Sequence, residues 1–125
     1  MFGYMGKILY VDLSTGAFRS EALDEKILRQ YVGGNGLAVW LYSQYPIEDL
    51  DALDPRSPLF FMTGPFVGTT VPCSGRYAVC GKSPLTGIWG DSDSGGSWGV
   101  SLKGAGYDAV VITGRSETPV SLYIG

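Results

Sequence analysis

The chain has 125 residues, the size of a single domain, and 45% of them are hydrophobic, an ordinary share for a soluble globular protein. A net charge of −3 gives no general attraction to nucleic acid or to an anionic membrane, and no apolar run is long enough to span a bilayer. Two cysteines outside any C-x-x-C pair and no histidine exclude imidazole acid–base work within the chain and argue against a self-contained zinc site.

Residues 7–13 (KILYVDL) alternate and are rich in β-formers, so they predict a strand; S-T-G at 14–16 turns it back into a second strand at 17–22. Asp24 can cap a short helix over 25–32 with Ile27, Leu28 and Tyr31 on one side. The run G-G-N-G at 33–36 is read as a helix break. A phosphate loop needs a strand-to-helix turn, and these glycines lie between two helices. A second helix is expected over 37–45, with Leu37, Trp40, Leu41 and Tyr45 inward and Pro46 as its stop. Residues 47–57, from Ile47 to Ser57, form an acidic loop. The apolar run 58–63 (PLFFMT) reads as a buried strand. After a Gly64-Pro65 turn and an irregular 66–72, strands are expected at 76–82 and 85–90. A helix follows at 95–102, ended by Gly104 or Gly106, then strands at 107–113 (YDAVVIT) and 120–124. Strands, then helices, then more strands predict an α+β fold with mixed, largely antiparallel β-sheets and two or three short helices.

Nineteen glycines, about twice the usual share, imply tight turns and close backbone contacts. They are densest between Cys73 and Asp108, where Arg76 stands between an S-G turn and the alternating run Y-A-V at 77–79, and D-S-D-S-G-G at 91–96 runs into the expected start of a helix. Glycines 95 and 96 let backbone N–H groups approach another molecule, and an arginine nearby offers a planar fork of donors to an anion or a heterocycle. Physics alone makes this a candidate cradle for a phosphorylated ligand; composition alone favours a set of plain tight turns between short strands. Cys73 and Cys80 are expected as small core or loop residues rather than ligands or a disulfide. The start M-F-G-Y lacks the basic and apolar regions of a secretory signal, so the expected location is the cytoplasm.

Several strings in order resemble the N-terminal domain of the aldehyde ferredoxin oxidoreductase family. They are G-K-I-L-Y-V-D-L-S-T-G at 6–16, Y-V-G-G-N-G-L-A at 31–38, G-P-F-V-G-T at 64–69 and G-R-Y-A-V at 75–79. K-S-P-L-T-G at 82–87, S-G-G-S-W-G at 94–99 and L-K-G-A-G-Y-D-A-V-V at 102–111 complete the set. The resemblance covers essentially the whole chain. It implies the first part of a domain, built of two β-sheets, that cradles a tungsten or molybdenum bis-pterin whose phosphates a magnesium ion links. It further implies oxidation of aldehydes to carboxylic acids, with electrons passing to ferredoxin. A four-iron four-sulfur cluster would be bound by later domains. A related branch reduces the aromatic ring of benzoyl-coenzyme A, and a non-catalytic, self-associating module (a homodimer) of the same fold is the other alternative.

Residue by residue, the resemblance gives Arg76 as the arginine between pterin and cluster. Asp93 falls where the family carries an asparagine whose backbone carbonyl reaches the magnesium; a backbone ligand survives the change, and a carboxylate suits a hard cation. Gly95 matches a residue whose backbone meets the pterin, with Ser94 and Gly96 shaping its loop. Lys82, Lys103, Trp89 and Trp98 fall in matching motifs and are expected to pack. The cluster ligands and the remaining pterin contacts are expected in later polypeptide, so the chain alone is not expected to perform the redox reaction. Ferredoxin and the remaining domains of the same enzyme are the implied partners.

Overall fold

The computed structural model describes residues 2–46 and 48–125, so Ile47, the first residue of the predicted acidic loop, lies outside the described residues. Its elements run β1 (Lys7–Asp12), β2 (Ala17–Ala22), α1 (Glu25–Tyr31), α2 (Gly34–Tyr42), β3 (Leu59–Met62), β4 (Tyr77–Lys82), β5 (Trp89–Ser94), α3 (Trp98–Gly104) and β6 (Ala109–Thr113). All six strands join one sheet in the order β2-β1-β6-β3-β4-β5, where the resemblance led to the expectation of two. Only β1 and β6 pair in parallel; every other neighbour is antiparallel.

The period of two in the strands sorts side chains onto two faces. Ile8, Phe60, Met62, Ala78, Cys80, Ala109 and Val111 face α1 and α2, where Leu28, Leu37, Ala38 and Leu41 complete the larger core. Leu9, Val11 and Val110 face the other way, toward Leu102 of α3, with Phe61, Trp98, Tyr107 and Ile124 packed beside them. The result is three layers: a helix pair, the sheet, and a single helix with the C-terminal segment.

Local chemistry sets the helix ends. The Asp24 carboxylate accepts from the Lys26 N–H at 2.8 Å and so satisfies one of the free donors that begin α1. Between α1 and α2 the chain makes a three-residue turn: the Gly33 N–H donates to the Tyr31 carbonyl at 2.8 Å, and Val32 sits at φ 64°, ψ −62°. A β-branched residue with positive φ is a strained conformation. The Tyr4 hydroxyl donates to the Val32 carbonyl at 2.6 Å and helps to hold it.

Four expectations are corrected. Helix α2 starts at Gly34, so the glycine run opens a helix instead of only breaking one. The fifth strand covers Trp89–Ser94, not 85–90; residues 84–87 form its hairpin loop, closed by Ser83 N–H to Ile88 O at 2.8 Å. Helix α3 begins at Trp98 instead of at 95. Residues 120–124 form no strand; instead Leu122 and Ile124 lie against Trp98 and Leu102.

A candidate cofactor cradle at the β4–β5 edge

Arg76 stands directly before β4, and the cross-strand pair Tyr77–Ser94 brings the loop at 95–97 to the same end of the sheet. A Cβ added to Gly75 would lie 3.5 Å from the Gly96 carbonyl, so the two turns are in direct contact. Trp98, the first residue of α3, packs at a tilt against Tyr77, with ring centroids 4.4 Å apart, and against Phe61 at 5.7 Å. That packing fixes where the glycine loop leaves the sheet. Gly96 has φ 88°, which a residue with a Cβ adopts only with strain, and a Cβ at Gly95 or Gly96 would meet open space. The loop is therefore exposed backbone, not interior packing.

Asp91 and Asp93 alternate onto the helix-side face, opposite Cys80 and Ala78. Their backbone direction follows from the ladder. Hydrogen-bonded and non-bonded pairs alternate in an antiparallel hairpin, and the Ser83–Ile88 pair is bonded. Counting along the register makes Val79–Ser92 and Tyr77–Ser94 bonded pairs and leaves Asp91 and Asp93 in non-bonded ones. Strand β5 is an edge, so the N–H and C=O of Asp93 point outward from the sheet.

Arg76, Asp91 and Asp93 line one open concavity of about 340 Å³. Its opposite wall is the α1–α2 junction, from Val32 to Asn35, with Gly64 and Pro65 beneath. Arg76 is exposed and makes no ion pair or hydrogen bond with any described residue, so the surface salt bridge that would explain it trivially is absent among them. Ser94, Gly95 and Gly96 do not line this concavity; they form the loop at its end, and the Ser94 side chain alternates to the far face with Tyr77.

The two cysteines part company: Cys73 is exposed and Cys80 is buried. Burial first, then the charges of Asp91 and Asp93, pushes the Cys80 thiol up to about 11, far from the thiolate form that ligates metal. No group of three or more acidic, cysteine or histidine side chains able to hold a metal occurs among the described residues. Lys103, expected to pack, does so as an ion: its ammonium lies 2.7 Å from Asp108 Oδ1, with both side chains buried.

Two features were missed by sequence reasoning, one at the site and one outside it. The wall formed by Gly33, Gly34 and Asn35 was set aside because the glycines fall between helices; their resemblance to a phosphate loop was the available signal. A Cβ at Gly33 would lie 3.0 Å from the Thr63 carbonyl, and the Gly34 N–H donates to that carbonyl at 3.0 Å. The glycines therefore bring this junction against the end of β3 and opposite Arg76. The Lys103–Asp108 pair was the second omission, because a lysine in a helix and an aspartate before a strand carry no pairing signal in sequence.

The family profile for the N-terminal domain of aldehyde ferredoxin oxidoreductase matches residues 8–125. The chain is 43% identical over 124 residues to the tungsten-containing aldehyde ferredoxin oxidoreductase of Pyrococcus furiosus, covering 99% of this chain and 20% of that protein. It is 32% identical over 127 residues to the WOR-like subunit of an aliphatic sulfonate oxidoreductase of the same organism. Among solved structures it superposes with a TM-score of 0.95 on the active-site complex BamBC of benzoyl-coenzyme A reductase in complex with 1,5-dienoyl-CoA. That match has 32% identity and covers 98% of this chain and 19% of the other. The chain thus spans about a fifth of the length of the relatives it matches.

Proposed function

Because the chain belongs to the aldehyde ferredoxin oxidoreductase family, as part of its N-terminal domain, we propose that it seats the pterin cofactor of a tungsten or molybdenum oxidoreductase acting on aldehydes. The observation that carries the proposal is the end of β4 and β5: an arginine with no ion pair or hydrogen bond among the described residues lines the concavity there, and an outward backbone carbonyl and a glycine loop open to solvent lie at the same end. These groups fit a large, polar, anionic heterocycle. Arg76 gives rigid N–H donors to ring or phosphate acceptors. The Asp93 carbonyl, with its carboxylate close by, suits a hard cation such as the magnesium that would link the cofactor's phosphates. Gly95 and Gly96 let the main chain approach the ring system, and Ser94 sets where that loop begins.

The bound metal centre supplies the redox chemistry, oxidising an aldehyde to a carboxylic acid. In this proposal ferredoxin accepts the electrons, an iron–sulfur cluster held by other polypeptide lies on their route, and the protein works in the cytoplasm. Among the described residues no helix is long and apolar enough to cross a membrane. The structural likeness to the benzoyl-coenzyme A reductase complex favours a second reading, a ring reductase of the same family. The higher identity to the aldehyde enzymes, 43% against 32%, ranks the aldehyde reading first. The test is anaerobic turnover by the protein purified at its natural length from a tungsten-supplied host. Reduction of ferredoxin by simple aldehydes is the expected result; turnover of an aromatic coenzyme A thioester alone would transfer the proposal to the second reading.

A further inference from the structure

Asn35 sits across the concavity from Arg76, and its side chain is held from behind. The Trp89 indole N–H donates to Asn35 Oδ1 at 2.9 Å, and the Cys80 thiol lies 3.7 Å from the same oxygen. An indole N–H is only a donor, so it fixes which end of the amide is oxygen. Trp89 itself packs against Tyr42 and Phe60, with ring centroids at 5.0 and 6.3 Å, and those two rings also meet each other at 6.2 Å. The amide is thus clamped by its carbonyl end, and its NH2 end donates to no described residue. Packing that locks one end of an amide and leaves two donors at the wall of a polar cavity is a preorganised donor pair. Its placement is sequence-specific: Val32 holds a strained turn just before it, and a Cβ at Gly33 would press the Thr63 carbonyl at 3.0 Å.

We propose that Asn35 is a further cofactor-contacting residue, its Nδ2 donors meeting a hydrogen-bond acceptor of the same polar heterocycle that Arg76 holds. This assignment rests on the cofactor-seating reading above. It adds a wall contributed by α2 to a cradle otherwise built from the β4–β5 edge. Trp89 and Cys80 act only through Asn35 and are positioning residues.

The substitution Asn35→Asp tests it. The carboxylate keeps an oxygen for Trp89 and Cys80, but the outward atom becomes an acceptor instead of a donor. The protein at its natural length, wild type and variants, is purified after tungsten-supplied anaerobic growth and dialysed extensively, and tungsten and pterin are measured per chain. Asn35→Asp is expected to retain at least about tenfold less of both than wild type. Cys80 is expected to stay closed to a thiol reagent, showing that the fold behind the amide is intact. Arg76→Ala in the same assay separates the two claims. If Arg76→Ala sheds the cofactor and Asn35→Asp keeps it at the wild-type level, the Asn35 assignment is overturned alone. If wild type carries neither tungsten nor pterin, the seating reading falls and takes this one with it. Should Asn35→Asp not fold, Asn35→Gln displaces the amide by one methylene, and the same retention decides.

Discussion

Lys103 and Asp108 tie the N-terminal segment to the sheet. The ammonium donates to Asp108 Oδ1 and to the Gly3 carbonyl, each at 2.7 Å, while the carboxylate accepts the N–H groups of Met5 and Gly6. Both charges are thus met by backbone groups as well as by each other, which is the condition under which a buried ion pair is tolerated. Removing one partner strands the other. Lys103→Met is expected to lower the unfolding free energy by about 3–5 kcal/mol, read from urea titration; an unchanged midpoint would show that the pair does not organise this segment. Cys80 gives a pH signature. Its thiol is raised to about 11 in the fold, against about 8.5 for a free cysteine. The folded state keeps a proton that the unfolded chain loses between these values. The contribution is complete below the unfolded value and is lost as pH rises through the folded one. Wild type is therefore expected to lose stability from about pH 8 to about pH 11 by on the order of 2 kcal/mol more than Cys80→Ala. Equal losses in the two proteins would contradict this account. In the native protein Cys73 alone is expected to react with a thiol reagent.

The elements differ in how far their residues announce them. Strands β1, β2 and β6 and helix α1 were legible because alternation, an S-T-G turn and an aspartate cap coincide in short stretches. Strand β5 was not. Its sequence W-G-D-S-D-S has no apolar alternation, because as an edge strand with an open face it buries little. Its position is set by pairing to β4, a tertiary cause that local pattern does not carry. The reverse holds for 120–124, where a β-rich string pairs with no strand and packs on α3 instead. In the candidate site, Arg76 and the 94–96 loop were legible through motif resemblance, while Asn35 was not, since a lone asparagine after glycines reads as a turn. At this scale two glycine variants separate close packing from backbone conformation. Gly33→Val forces a side chain onto the Thr63 carbonyl and is expected to cost about 1–3 kcal/mol and to weaken cofactor retention. Gly96→Ala meets no neighbour and is expected to cost about 1 kcal/mol from its φ of 88° alone. Equal thermal shifts for the two would argue that Gly33 is not a point of close approach.

In the whole molecule, the order β2-β1-β6-β3-β4-β5 puts the last strand in the middle and leaves β5 at an edge. The buried core around Phe60 and Val111 is thereby central, and the open main chain of Asp93 and the glycine loop lie at the rim. A scaffold of this form holds polar groups still at a border where other polypeptide and a ligand can meet. The central claim is that Arg76 and its surroundings seat a pterin-bound metal. The most direct measurement is tungsten and pterin per chain in natural-length protein carrying Arg76→Ala or Arg76→Lys, set against wild type. The account predicts near-stoichiometric cofactor in wild type, severe loss in Arg76→Ala and partial loss in Arg76→Lys, with unchanged thermal unfolding of the cofactor-free proteins. Full cofactor content in Arg76→Ala would contradict it.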